Sequence, residues 1–353
     1  MALPRVSVVV PVYNGQAHVR DALHSLLCQT LADFEVIVVD DGSTDETARI
    51  VSEVAVIDRR IQLHRQEHRG VVAARNLAAS IASGMYLAWL DADDVALPRR
   101  IESQVRFMDA HPHTAALGGT IALTDVDLKV LLRMRYPTDP RQIGARLING
   151  NVFAASAAMI RLSAYKSVGG CRPAFQGTED YDLWLRLSEA FELANLPDLL
   201  AYYRVHPAQA SRRRAERLVL STVGAQLSAR ARRASRPDPY DALGEISYQA
   251  LLQTASSKCE VDNAVLSVAA GEAMLMTLLG FGTGARALVD WATQLTHGSG
   301  VGRGLRAKVQ LAYALSSWRA RDWPRAALSI SLASMLDPYE TTRAFARGLR
   351  ALR

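Results

Sequence analysis

Tyr86-Leu87-Ala88-Trp89-Leu90-Asp91-Ala92-Asp93-Asp94 is the stretch on which the fold reading turns. Its first five residues are apolar without alternation, the pattern of a strand buried on both faces, as in a parallel sheet covered by helices. Three carboxylates then close that strand where a soluble fold needs only a turn. Gathered there, they are available to hold a divalent metal against a phosphate.

Upstream, short apolar runs alternate with helical periodicity. Val6 to Val10 reads as a first strand, and Val19, Leu23, Leu26 and Leu27 place one helical face on the sheet from about Gln16 to Leu27. Phe34 to Val39 reads as a second strand. Ser43 and Glu46 fit a capping box opening a helix that carries Ala48, Ile50, Val51 and Val54. Ile61 to His64 follows as a third strand, Val71 to Ser83 as an alanine-rich helix stopped by Gly84, and Tyr86 to Leu90 as the fourth strand. This alternation predicts an α/β fold, a Rossmann-like, mostly parallel sheet flanked by helices. In such sheets ligands bind beyond the carboxyl ends of the strands. Pro11-Val12-Tyr13-Asn14, Asp40-Asp41-Gly42-Ser43 and the acidic cluster therefore share one edge. A dinucleotide site needs a Gly-rich turn after the first strand, and Pro-Val-Tyr-Asn-Gly is not one. Phosphate is then neutralised by a carboxylate-held metal, and hard oxygen ligands favour Mg²⁺ or Mn²⁺.

Pro11-Val12-Tyr13-Asn14, Val39-Asp40-Asp41-Gly42-Ser43-Thr44-Asp45, Gly70 with Arg75-Asn76, Asp91-Ala92-Asp93-Asp94 and Glu179-Asp180-Tyr181-Asp182-Leu183-Trp184 occur together in this order. In this the chain resembles a family 2 glycosyltransferase with the GT-A nucleotide-sugar fold, over roughly residues 4 to 210. The resemblance implies that Pro11, Val12, Tyr13 and Asp41 frame the nucleotide base, with the Asp41 carboxylate accepting the ring N–H of uracil or its equivalent. Asp40 and Asp41 also suit capping of the following helix. Arg75 with Asn76 is implied near the base or diphosphate, although an arginine on an amphipathic helix also suits a solvated surface. Asp91 is implied on the ribose side or in the metal's outer shell, and Asp93 as the ligand of a Mn²⁺ or Mg²⁺ bound to both phosphates, stabilising the leaving nucleoside diphosphate. Asp180 is implied as the general base that activates the acceptor hydroxyl, with inversion at the anomeric carbon. A helix N-terminus there favours the ionised carboxylate. Glu179 and Trp184 are implied beside the base as substrate-binding residues, and His206 as a further metal ligand. The Gln-x-x-Arg-Trp segment of processive members is absent, so a non-processive transferase is expected, moving a sugar, a UDP-sugar above others, to a glycan or lipid-linked hydroxyl.

The 353 residues, 49% hydrophobic, suit about two domains. They divide here into a catalytic domain over 1–210 and an all-helical domain over 211–353, rich in Ala, Leu and Arg. Pro237-Asp238-Pro239 reads as a break and Gly298 to Gly304 as a flexible connection. Ala287-Leu288 and Ala327-Leu328 lie 40 residues apart (288 to 328), with Leu275 and Leu315 in the same register, a spacing that helical hairpins of the tetratricopeptide type produce. The net charge of +6 is concentrated in Arg212, Arg213, Arg214, Arg217, Arg230, Arg232, Arg233 and Arg236, a solvated face or a peripheral contact with an anionic membrane surface. No aromatic platform accompanies these arginines, so no nucleic-acid partner is expected. Three dispersed cysteines exclude a disulfide framework and point to a reducing, cytoplasmic setting, with the inner membrane face as the alternative. Val6 to Val12 does not resemble a signal peptide, and Val265 to Phe281, interrupted by Glu272, is not expected to span a bilayer. A noncatalytic scaffold or carbohydrate-binding protein of this fold is the alternative reading. Retention of Asp93 and Asp180 disfavours it.

Overall fold

The computed structural model describes residues 3–206, 209, 215–241, 243–296, 302–319 and 323–336. β1 (Val6–Val12) is buried at every position, as its valines dictate: β-branched side chains, stiff at χ1, fit a pleated surface covered on both faces. After it come α1 (Val19–Leu27), β2 (Phe34–Asp40), α2 (Thr47–Ile57), β3 (Ile61–Arg65), α3 (Val71–Ile81) and β4 (Tyr86–Trp89). β1 lies between β2 and β4, parallel to both, and β3 flanks β2. The order reverses between β1 and β4, which opens a crevice at their carboxyl ends. Leu23, Leu26, Val51 and Val54 from α1 and α2 bury against Val8, Val10, Val36 and Val38 of the sheet.

The chain continues through β5 (Val95–Ala96), α4 (Arg100–Ala110), β6 (Thr114–Thr124), β7 (Val130–Met134), α5 (Pro140–Leu147), a 3-10 turn at Ala155–Ala157, β8 (Met159–Arg161) and α6 (Leu162–Ser167). A second such turn at Pro173–Phe175 precedes α7 (Glu179–Ala190) and β9 (Glu192–Arg204). One nine-stranded sheet runs β3-β2-β1-β4-β8-β6-β9-β5, with β7 paired to β6. Beyond β4 it is mixed: β8 is antiparallel to β4 and β6, while β6 and β9 run parallel.

Two local expectations need correcting. No Ser43–Glu46 capping box forms, because the Ser43 hydroxyl accepts from the Asn14 N–H at 2.8 Å and binds the β2 loop to the β1 loop; Asp45 instead accepts from the Thr47 N–H. Gly84 does not stop α3, which ends at Ile81 with Ala82 already extended. A Cβ on Gly84 would lie 2.6 Å from the Ser7 nitrogen, so glycine serves the close passage of this loop against β1, where its N–H donates to the Ser7 hydroxyl.

The chain forms two compact units, Met1–His206 with Ala229–Gly244, and Pro207–Ser228 with Glu245–Arg353. α8 (Ala215–Arg233) contributes to both. Segment 229–244 belongs to the first unit through Arg232 on Glu189, Arg172 on Asp238, and the Tyr240 ring edge-on to Phe175. The second unit is helical among its described residues, with α9 (Tyr248–Thr254), α10 (Lys258–Leu278), α11 (Gly282–Leu295), α12 (Arg303–Arg319) and α13 (Trp323–Leu336). The 40-residue spacing falls on equivalent helices: Leu275 on α10 and Leu315 on α12, Leu288 on α11 and Leu328 on α13. Of the expected flexible connection, residues 298–301 lie outside the described residues, and Arg303-Gly304 already belongs to α12. Among the described residues, α10 is long and apolar enough to cross a bilayer, although half of that stretch is buried in the protein.

Candidate active site

At the carboxyl end of β1, Pro11 and Val12 are buried rungs of the ladder to β2. Tyr13, 47% exposed, is the residue that emerges, and its ring stacks on His68 at 4.0 Å between centroids. The Asp41 carboxylate, 3% exposed, accepts from the Arg69 and Gly70 amides at 2.8 Å each, from the Gln66 amide, and pairs with His68 at 2.8 Å. That carboxylate organises the 66–70 loop. Gly70 sits at φ 89, a left-handed conformation that glycine adopts without penalty. Asp40 is fully buried and accepts from the Ser43 N–H and Arg65 Nε.

Arg75 is not a surface residue. Only 3% exposed, it donates to Glu179 at 2.6 Å and to Asp91 at 2.8 Å, and its guanidinium lies 4.2 Å over the Trp89 ring. The two carboxylates hold it firmly protonated against the cost of burial. Burial raises the Glu179 carboxyl above its ordinary value, Arg75 opposing, and the Gly177 N–H donates to its other oxygen. Asn76 turns away, its amide donating to the Cys171 carbonyl.

Asp93 and His206 meet, Oδ2 to Nε2, at 3.0 Å at the carboxyl ends of β4 and β9. Asp94, by contrast, is fully buried and accepts from the Arg204 backbone N–H at 2.8 Å. Burial pushes its carboxyl well above the usual range, with Asp93 and Asp91 adding to the effect. Beneath the turn, buried Arg100 donates to the Trp89 and Ala158 carbonyls and to Gln104; burial lowers its pKa to about 10, against the pull of Asp94 and Asp91. The Arg204 side chain reaches back to α1, donating to Asp21 at 3.0 Å and to His18 Nδ1. Burial lowers the His18 pKa, and Arg204 and His206 lower it further.

Asp180 occupies the first turn of α7, between Glu179 and buried Tyr181. Its Oδ2 accepts from the Asn151 amide at 2.9 Å, and the Tyr181 N–H also donates to it. Contrary to the helix-terminus expectation, its pKa is raised: burial outweighs Arg75 and the two hydrogen bonds. Tyr136 neighbours it, its phenol raised by burial and then by the Asp180 charge. Among the described residues no group of three or more His, Cys, Asp or Glu side chains is placed to hold a metal unaided.

Residues 7–169 match the family described as glycosyl transferase family 2. EpsE of Bacillus subtilis, named as a glycosyltransferase, is 33% identical over 202 residues, which cover 56% of this chain and 72% of that one. The chain belongs to glycosyl transferase family 2. An uncharacterized glycosyltransferase of Haemophilus influenzae is 28% identical over 218 residues, 59% of this chain and 68% of that one. In fold, this family 2 enzyme superposes on S. aureus TarS 1–349 in complex with UDP (TM-score 0.52, 19% identity, 94% of this chain and 91% of that chain). It also superposes on the mannosyltransferase PcManGT of Pyrobaculum calidifontis in complex with GDP-Man and Mn²⁺ (TM-score 0.52, 18% identity, 96% and 88%).

Within this glycosyltransferase, Trp184 is 0% exposed, with ring centroids 5.5 Å from Trp89 and 5.4 Å from Phe153, so it packs beneath the site. His18, His68, Asn151 and Arg204 escaped the sequence reading, since each acts through a partner distant in the chain. Of the basic segment, Arg212, Arg213 and Arg214 lie outside the described residues, while Arg217 pairs with Glu245 and Arg232 with Glu189 and Asp238.

Proposed function

We propose that this glycosyltransferase moves a sugar from a nucleoside-diphosphate donor, a UDP-sugar first, to a hydroxyl of a glycan or lipid-linked acceptor, with inversion and with Asp180 as base. The observation that carries the reading is the Glu179–Arg75–Asp91 bridge, which ties the helix bearing Asp180 to the acidic turn bearing Asp93. Donor chemistry and acceptor activation are thereby held to one rigid frame. TarS bound to UDP and to UDP-GlcNAc, and PcManGT bound to GDP-Man, support the donor class.

A divalent cation suits the donor set. Oxygen and nitrogen ligands of a six-coordinate ion, each ~2.1 Å from it and adjacent to one another, are themselves about 3.0 Å apart. That is the Asp93–His206 separation, 3.0 Å. An imidazole beside a carboxylate suits Mn²⁺ better than Mg²⁺. Asp93 and His206 would hold the ion, and its charge would neutralise the donor diphosphate. Tyr13 with His68 offers a stacking face for the base. The Asp91 oxygen not bound to Arg75 is available to a ribose hydroxyl. Asp180 accepts the acceptor's hydroxyl proton; the acceptor oxygen bonds to the anomeric carbon as the bond to the β-phosphate oxygen breaks, and the nucleoside diphosphate leaves with that electron pair. A carboxyl raised by burial is a stronger base than an exposed aspartate once ionised. The three cysteines, widely separated in the chain and odd in number, suit a reducing compartment.

The test is a panel of UDP-, GDP-, ADP- and dTDP-sugars, assayed with Mn²⁺ and with chelator, the anomeric configuration of the product read by NMR. Release of nucleoside diphosphate in Mn²⁺ alone, with inverted product, is expected. Full turnover in chelator or a retained configuration overturns the reading.

A further inference from the structure

We infer that His18 is a further donor-site residue of this glycosyltransferase, a neutral imidazole whose Nε2–H donates to a phosphate oxygen of the nucleoside diphosphate. The inference rests on the proposed donor site and adds a group to it. Arg204 Nη1 contacts His18 Nδ1. A guanidinium has only donors, so Nδ1 must be the acceptor and the ring carries its proton on Nε2. Nothing else gives that tautomer a reason, because His18 precedes α1 without making a side-chain cap bond. Arg204 is itself pinned: it is 1% exposed, its other guanidinium nitrogen donates to Asp21, and its backbone N–H donates to Asp94. The imidazole is thus fixed from behind by a buried cation.

Its location fits a donor to phosphate. The His18 ring lies 5.2 Å from the His206 ring, centroid to centroid, tilted by 53°, and His206 holds Asp93. His18 is half-buried, and the hydrogen bond its ring makes to Arg204 is at Nδ1, on the opposite edge from Nε2. The titratable and charged groups around the ring are Arg204, His206, Asp93 and Asp21. A neutral N–H suits this crowded place, since it stabilises charge on a departing phosphate without setting another cation against Arg204.

The experiment titrates the full chain with UDP and with GDP in Mg²⁺ by calorimetry, and measures kcat and donor KM with whichever donor the panel identifies. His18→Ala and His18→Phe should weaken binding of the diphosphate by about ten- to a hundredfold, the worth of one hydrogen bond to a charged group, and change UMP or GMP binding less. His18→Gln, which keeps an N–H, should recover most of the loss. Diphosphate affinity in His18→Phe equal to that of the wild type overturns the inference. Should all variants fold poorly, ¹⁵N-histidine NMR of the wild type decides: an Nε2–H tautomer whose Nε2 shift moves on adding nucleoside diphosphate and Mg²⁺ supports it, and an Nδ1–H tautomer or an unmoved shift overturns it. Wild-type protein that binds no nucleoside diphosphate would instead refute the donor site itself.

Discussion

Replacing Arg75 by methionine should unfold the catalytic unit before it affects chemistry. The side chain is 3% exposed and supplies the counter-charge of two carboxylates, Glu179 at 2.6 Å and Asp91 at 2.8 Å. Removing one partner of a buried ion pair costs about 3–5 kcal/mol, because the other charge stays buried and unpaired. Losing the cation over Trp89, 4.2 Å away, adds about 0.5–2 kcal/mol. At roughly 2–4 °C per kcal/mol for a domain of this size, the calorimetric midpoint should fall on the order of 10–20 °C. The deficit should also depend on pH. Glu179 already has a raised pKa in the folded protein, and Arg75 is the main influence opposing that rise. A group raised on folding contributes stability below its unfolded value, about 4.3, and loses it as pH climbs through the folded value. Without Arg75 the folded value rises further, so Arg75→Met should lose more stability at pH 8 than at pH 5. Adding Glu179→Gln, which removes the orphaned charge, should recover about 1–2 kcal/mol, in line with relieving an unsatisfied buried group. A midpoint within about 2 °C of wild type, less than 1 kcal/mol on the same scale, or a double variant no more stable than Arg75→Met, would refute the reasoning.

Asp180→Asn should leave nucleoside-diphosphate binding near wild type while lowering transfer by about 10²–10⁴-fold, measured by calorimetry and single-turnover assay; undiminished turnover would move the base elsewhere. Because burial raises the Asp180 pKa, kcat/KM should fall on the acid side with an apparent pKa above the ordinary 3.8, and the fall should vanish in Asp180→Asn. Gly84→Val would drive a side chain into the Ser7 nitrogen, 2.6 Å from where the first side-chain carbon would stand, and should destabilise by about 1–3 kcal/mol in denaturant titration with little change in donor KM.

What is legible in the sequence and what is not divides by the range of the interaction. β1, β2, β3 and β4 can be read within two residues because an unbroken apolar run needs no partner to declare itself, and the Asp91–Asp94 turn because three carboxylates exceed what a strand end needs. The 40-residue spacing places Leu275 and Leu315, and Leu288 and Leu328, on alternate helices of the second unit. Asp180 is legible only through family resemblance; nothing local separates it from a first-turn aspartate serving its helix. Asp41 defeats a sequence reading because its partners, the amides of the 66–70 loop, are brought to it only by β3 pairing beside β2. Trp184 does so because an aromatic on a helix carries no mark of facing the core or the ligand. His18 and Arg204 stand 186 positions apart, and no periodicity joins them.

The acidic turn then makes sense as a division of labour among its carboxylates. Asp91 is held by Arg75 and by its own N–H on the Ser156 hydroxyl, and Asp94 is sunk against the Arg204 amide with Arg100 as the buried cation beneath. Asp93, between them, has its side chain 29% exposed and is met, among the described residues, by His206, two residues past the end of β9. Fixing the flanking carboxylates by groups on other elements, two of them the charges of Arg75 and Arg100, sets the direction of the middle one without touching it. Its ordering entropy is therefore spent on folding and not on binding, which is how a preorganised site gains affinity. Loosening either anchor should weaken a divalent ion's hold on Asp93 and His206 even though neither anchor contacts the ion. Arg75→Lys, which keeps the charge but cannot reach Glu179 and Asp91 together, should lower Mn²⁺ affinity several-fold by calorimetry with nucleoside diphosphate present. Unchanged Mn²⁺ affinity in a folded Arg75→Lys protein would mean that Asp93 is oriented by the turn's backbone alone.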